Sequence, residues 1–301
     1  MGIKDFLNFI RWKNILMLVL IQVLIKYVLF TKFDTYTFLD DFHFFILILS
    51  TIFIAASGYI INDIYDIKAD AINKPEKVYV GNKISLKKSN NLYFILNMFG
   101  LILGLYLSYY IENISFFIIY IIISFLLYRY AIYLKKRFLI GNLTISILIF
   151  LSIIIVAIFD LVPATNDYNQ QGQLLVFLIL VKIASFAFIL TLLREIIKDI
   201  EDIEGDKKIN SNTIPIALGI DKTKNIIILI AIAALLGLVY FASTYYESNK
   251  LIFYYLLFLV ALPLLYFMVK IKSVHTKEKF NKLSNLLKII MLIGILTILL
   301  L

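Results

Sequence analysis

Cysteine is absent from all 301 residues, which excludes disulfides, thiolate metal sites, iron–sulfur ligation and cysteine nucleophiles. Histidine is nearly as scarce: His43 and His275 lie far apart in the sequence and do not suggest a histidine metal site. Any bound metal therefore has to be a hard cation held by oxygens. Charge is thin as well, with Asp, Glu, Lys and Arg at 16% against about 25% in a soluble domain. Of four prolines only Pro263 interrupts an apolar run, where it predicts a kink of the kind membrane helices tolerate.

What fills the chain is apolar: 62% of residues, with a mean hydropathy of +0.93. Such a chain cannot cover a globular surface with polar groups. Spanning a bilayer core takes about 20 mostly apolar residues per helix. Nine such stretches are present, at 13–32, 42–62, 90–111, 114–134, 141–162, 173–197, 223–243, 250–270 and 283–301. They use up the chain, so residues 1–301 read as one all-α transmembrane domain with no separate soluble part. The N-terminus has no signal peptide with a small-residue cleavage site, so the first stretch reads as a retained helix.

The net charge of +9 reports topology rather than nucleic-acid binding. With the N-terminus placed in the cytoplasm and sides alternating, only Lys26, Lys32, Lys182 and Lys250 of the 29 Lys and Arg fall outside the cytoplasmic segments. This is the positive-inside bias. It gives a cytoplasmic N-terminus, an opposite C-terminus and basic contacts with anionic membrane lipid. Lys182 and Lys26, within helices and toward the outer side, read as snorkelling cations.

Two polar cytoplasmic segments, 62–89 and 198–222, carry an internal repeat. Asn62-Asp63-Ile-Tyr-Asp66-Ile-Lys-Ala-Asp70 follows the second apolar stretch, and Lys198-Asp199-Ile-Glu-Asp202-Ile-Glu-Gly-Asp206 follows the sixth. Aspartates at i, i+3 and i+7 fall near 0°, 300° and 340° around a helix, a stripe about 10 Å long. Like charges so placed repel, more so where the dielectric falls at a membrane boundary. A solvated face paired by Lys68, Lys74, Lys207 or Lys208 accounts for one stripe. Two stripes of identical spacing at equivalent helix ends favour a bound cation. Mg2+ fits, since it takes one or two carboxylates and completes its shell with water and phosphate oxygens; two facing stripes then clamp a diphosphate.

The first segment, through Lys74-Pro75, resembles the N-D-x-x-D-x-x-x-D signature of the UbiA superfamily of intramembrane prenyltransferases. The segment Arg194 to Asp206 resembles the second signature, and Thr213-Ile-Pro215 and Leu218-Gly219 stand where that family has T-L-P and L-G. The resemblance covers essentially the whole chain and implies a nine-helix bundle with the active site opening to the cytoplasm. It implies Mg2+-dependent transfer of a prenyl group from a polyprenyl diphosphate to a lipophilic or amphiphilic acceptor. Asp63, Asp66, Asp70, Asp199, Asp202 and Asp206 are the implied metal ligands, and Tyr128 would support the developing cation. Asn14, Asn62, Lys77, Lys135, Lys136, Arg194 and Lys198 are the implied substrate contacts.

The Lys-Asp-Ile-Glu-Asp-Ile-Glu-Gly-Asp string is most similar to enzymes that alkylate geranylgeranylglyceryl phosphate. It is also similar to those that prenylate homogentisate, and 4-hydroxybenzoate, dihydroxynaphthoate and haem acceptors stay open. Lys77-Val78 and Tyr79-Val80-Gly81 stand where relatives have Arg-Pro and Pro-Ser-Gly, and Asn210 and Asn212 where Gly and Arg are common; these departures bear on the acceptor. Two other classes fit less well. An ion-coupled transporter places its carboxylates near the bilayer midplane at broken helices. A phospholipid-forming phosphotransferase needs an Asp-Gly followed by Ala-Arg that the first cluster lacks.

Overall fold

The computed structural model describes residues 1–301, except for the side chain of Lys77, which lies outside the described residues. Among the described residues nine helices are long and apolar enough to cross a membrane: α1 (Trp12–Lys32), α2 (Asp41–Asn73), α3 (Leu86–Tyr110), α4 (Ile114–Ile132), α5 (Ile140–Leu161), α6 (Gln170–Glu201), α7 (Ile220–Ser243), α8 (Lys250–Lys272) and α9 (Lys277–Leu299). They match the nine apolar stretches one for one. Two run well past the hydrophobic boundary: α2 continues through the first aspartate string to Asn73, and α6 continues to Glu201. Both segments lack Gly and Pro up to those points, so nothing local stops the helix where hydrophobicity ends.

The chain divides into two compact units: residues Met1–Lys135 with Leu151–Leu180, and Lys136–Phe150 with Val181–Leu301. In the first, α3 presents two glycines one turn apart, and packs closely on α2 at Gly100 and on α4 at Gly104. A Cβ at Gly100 would stand 2.5 Å from Ile54 Cγ1, and one at Gly104 would stand 2.5 Å from Tyr120 Cγ. Small residues at this spacing let membrane helices pack where no hydrophobic effect drives them together. Tyr120 is fully buried and shares a 2.9 Å hydrogen bond with Ser50 Oγ.

Lys26 and Asp160 depart from expectation. The sequence has Lys26 snorkelling outward, and it places Asp160 at the outer end of the stretch 141–162. Instead both are buried and form an ion pair of 2.8 Å. Lys26 Nζ also donates to the Leu39 carbonyl at 2.6 Å, and the Leu39 N–H donates to Asp160 Oδ1 at 2.8 Å. The two side chains sit in π-helical turns, Ile25–Leu29 and Ala157–Leu161. The wider turn re-aims a side chain without ending its helix. Alternation of sides along a sequence cannot show this, because pairing depends on which helices neighbour each other.

In the second unit Leu193, Ile196, Ile197 and Ile200 of α6 are buried with residues of α7, α8 and α9, including Ala231, Leu264, Phe267, Leu287 and Ile290. Pro263 behaves as its missing N–H requires: α8 passes through a π-helical segment, Leu256–Ala261, immediately before it.

Candidate active site

The first acidic stripe lies on an unbroken helix, so Asp63, Asp66 and Asp70 do share one face of α2. Two cations from other elements of the same unit meet it. Arg11 Nη2 donates to Asp63 Oδ1 at 2.7 Å, and its guanidinium lies 4.8 Å from the centre of the Tyr59 ring. Lys135 pairs with Asp66 and donates to Asn62 Oδ1 at 3.4 Å. Arg11 reaches Asp63 from a left-handed backbone conformation, φ 55° and ψ 49°, at the N-cap of α1. A non-glycine residue there stores about 1–2 kcal/mol. The burial of Phe9 with Ile60 and Val80 anchors the short helix Ile3–Phe9 that leads into it.

Tyr128 lies on α4 of the same unit. Its ring stacks on Tyr93 at 6.5 Å, and its hydroxyl shares a hydrogen bond with Tyr65, which stands on α2 between Asp63 and Asp66 in the sequence. Asn14 is half-buried in the first turn of α1, its N–H donating to the Arg11 carbonyl at 2.8 Å.

The second stripe departs from the expected single helical face. α6 ends at Glu201, Asp202 has φ −102° and ψ 8°, and a short helix, Ile203–Lys208, carries Asp206. The Asp206 N–H still reaches the Asp202 carbonyl at 3.1 Å, so the turn is nearly kept while the axis is interrupted. Gly205, which weakens a helix, is part of the reason.

Around this stripe, Asn142 Nδ2 donates to Asp199 Oδ2 at 2.8 Å. Glu195 Oε1 accepts from Lys198 at 2.6 Å and from Arg194 Nη1 at 3.3 Å. The Arg194 Nε is buried and has no hydrogen-bond partner among the described residues. Asn281 Nδ2 on α9 donates to Glu201 Oε2 at 3.0 Å. The Lys136 carbonyl accepts from the Asn212 N–H at 2.8 Å, and its side chain is half-buried.

The structure therefore brings Asp63, Asp66, Asn62 and Lys135 together in the first unit, while in the second Arg194 and Lys198 converge on Glu195 and Asp199 meets Asn142. Lys77, expected as a substrate contact, has its side chain outside the described residues. Three neighbours were not among the expected site residues: Arg11, Asn142 and Asn281. The Arg-Trp-Lys-Asn and Gly-Asn segments were visible in the sequence, but their targets were not. Among the described residues no three Asp, Glu or His side chains converge to hold a metal by themselves. The donors are carboxylate oxygens supplied one or two at a time, which suits Mg2+.

Nine apolar helices bearing acidic repeats at the ends of two of them, each repeat braced by Arg, Lys or Asn, define a polytopic membrane protein with its polar chemistry gathered in those repeats. The sequence pattern of the UbiA prenyltransferase family matches residues 27–291, and the chain belongs to that family and is a prenyltransferase. Digeranylgeranylglyceryl phosphate synthase of Sulfolobus acidocaldarius is 35% identical over 292 residues, 96% of this chain and 94% of that protein. The same enzyme of Methanosphaera stadtmanae is 37% identical over 245 residues, covering 81% and 82%. A solved structure of a digeranylgeranylglyceryl phosphate synthase covers 99% of this chain and 97% of its own at TM-score 0.64 and 27% identity. A UbiA homolog from Archaeoglobus fulgidus bound to DMAPP and Mg2+ shares the fold at TM-score 0.62 and 15% identity, covering 99% of this chain and 100% of that one.

Proposed function

We propose that this prenyltransferase moves a geranylgeranyl group from its diphosphate to the free hydroxyl of geranylgeranylglyceryl phosphate. The carrying observation is the 35% identity, running through 96% of the chain, to the Sulfolobus acidocaldarius enzyme. The allylic C–O bond to diphosphate breaks, an ether C–O bond forms at the same carbon, and the hydroxyl proton is released with the diphosphate. Asp63, Asp66 and Asp70 in one stripe, and Asp199, Asp202 and Asp206 in the other, would hold Mg2+, which when bound supplies positive charge to the leaving diphosphate.

The chain's own groups have separable tasks. Arg11 and Lys135 fix the carboxylates they pair with and keep the local charge balanced. Arg194, with a buried Nε that lacks a partner, is suited to donate to a phosphate oxygen. Lys136 and Lys198 add positive charge for the same anion. The apolar helices exclude water from the reacting carbon. The active site opens to the cytoplasm and the N-terminus lies on that side of the cell membrane, as the Lys and Arg distribution supports.

The test is turnover of radiolabelled geranylgeranyl diphosphate by purified protein with Mg2+ or with EDTA. The acceptors are geranylgeranylglyceryl phosphate, homogentisate, 4-hydroxybenzoate and dihydroxynaphthoate. Metal-dependent product with the glycerophosphate alone is expected. Product with an aromatic acceptor alone overturns the acceptor assignment.

A further inference from the structure

The second unit holds a cavity of about 320 Å³ lined by α6, α7, α8 and α9, inside the range of about 300–1,000 Å³ usual for ligand pockets. Small residues on α7 open it: nothing lies within 4 Å of the place a Cβ would take at Gly237, and Ala233 and Ala234 line the same space. Along α6 it extends from Val181 to Ile189, stopping about 15 Å of helix short of Asp199. It is separate from the second acidic repeat.

The lining is apolar but for a few groups at one end. Lys182 holds its Nζ 5.7 Å from the centre of the Phe241 ring, and no carboxylate among the described residues pairs with it. Thr297 is buried, and its Oγ1 has no hydrogen-bond partner among the described residues. Phe241 stands near the end of α7 at Ser243, where Tyr240 and Tyr246 are exposed. Tyrosines gather at the level of lipid headgroups, so the ammonium sits where the helix leaves the hydrocarbon layer. Deeper in, Ile189, Leu256 and Met291 make the walls. A cation at the rim and an apolar shaft below have the polarity of an anionic amphiphile. At the headgroup level a lipid phosphate is the counter-ion such an ammonium meets.

We propose that this cavity seats one anionic phospholipid of the surrounding bilayer, its phosphate on Lys182 and one aliphatic chain lying along α6 beside Gly237. The lipid fills space between helices of the second unit that the side chains leave open.

Native mass spectrometry tests this on the full-length protein in detergent supplemented with dioleoyl phosphatidylglycerol or dioleoyl phosphatidylcholine. The wild type is expected to retain one phosphatidylglycerol at least tenfold more tightly than phosphatidylcholine. Lys182→Gln loses that preference, Lys182→Arg keeps it, and Gly237→Leu, which fills the shaft, weakens retention of both lipids. Lys250→Gln, removing another lysine at the same end of the bundle, keeps the wild-type pattern. Unchanged prenyl transfer by Lys182→Gln shows that the variant is folded. Equal retention of the two lipids by the wild type overturns the proposal. So does a Lys182→Gln variant that still prefers phosphatidylglycerol, or a Lys250→Gln variant that loses the preference equally.

Discussion

Replacing a carboxylate by its amide keeps volume and removes charge, so Asp66→Asn and Asp202→Asn separate metal binding from packing. Each is expected to lower turnover by about a hundredfold or more, the scale of losing one electrostatic stabiliser, while its gel-filtration profile stays that of the wild type. Full activity in either variant removes that stripe from the metal site. The buried pair Lys26–Asp160 (side chains 8% and 0% exposed) belongs to stability instead. Lys26→Met leaves Asp160 buried without its counter-ion, at about 3–5 kcal/mol. Lys26→Met combined with Asp160→Asn should lose less than the sum of the two single losses, as unfolding in a single detergent would show. An additive result argues that the pair is not coupled. Arg11 shows how a residue's task is set by backbone as well as side chain: its left-handed conformation is tolerated because the guanidinium gains Asp63.

The helices themselves are set by local composition, while their contacts are set by where side chains are missing. At Gly104 an added Cβ meets the Tyr120 ring at 2.5 Å. Gly104→Ala is expected to destabilise by about 1–3 kcal/mol through overpacking. Gly237→Ala meets open space and is expected to be neutral, or stabilising by about 0.5–1 kcal/mol, through helix propensity alone. Thermal unfolding of both variants in the same detergent compares them; equal losses would rule out close packing as the reason for Gly104. The two acidic repeats, identical in spacing, end in different local structures for a readable reason. The first has Lys-Ala between its last aspartates and stays helical to Asn73, whereas the second has Glu-Gly there and breaks at Asp202.

At the scale of the whole molecule, the absence of native cysteine makes topology directly measurable. Single cysteines at Lys83, in the segment after α2, and at Tyr168, exposed between α5 and α6, should fall on opposite sides of the membrane. In right-side-out vesicles an impermeant maleimide is expected to label Tyr168→Cys and spare Lys83→Cys. The reverse pattern inverts the bundle. Nine apolar runs, the cation asymmetry and two Asp-x-x-Asp-x-x-x-Asp strings lay open in the sequence. Each depends only on residues near one another in the chain: a run long enough to span, a side chain every 3.6 residues, a charge beside its own helix end. The sequence by itself therefore determined the helices, their family and the aspartates. Only the tertiary structure decided that Arg11 faces Asp63, that Asn142 holds Asp199, that Lys26 is buried against Asp160 and that Lys182 borders a cavity. Those pairings depend on which helix lies beside which, and packing between distant segments sets that rather than any local pattern.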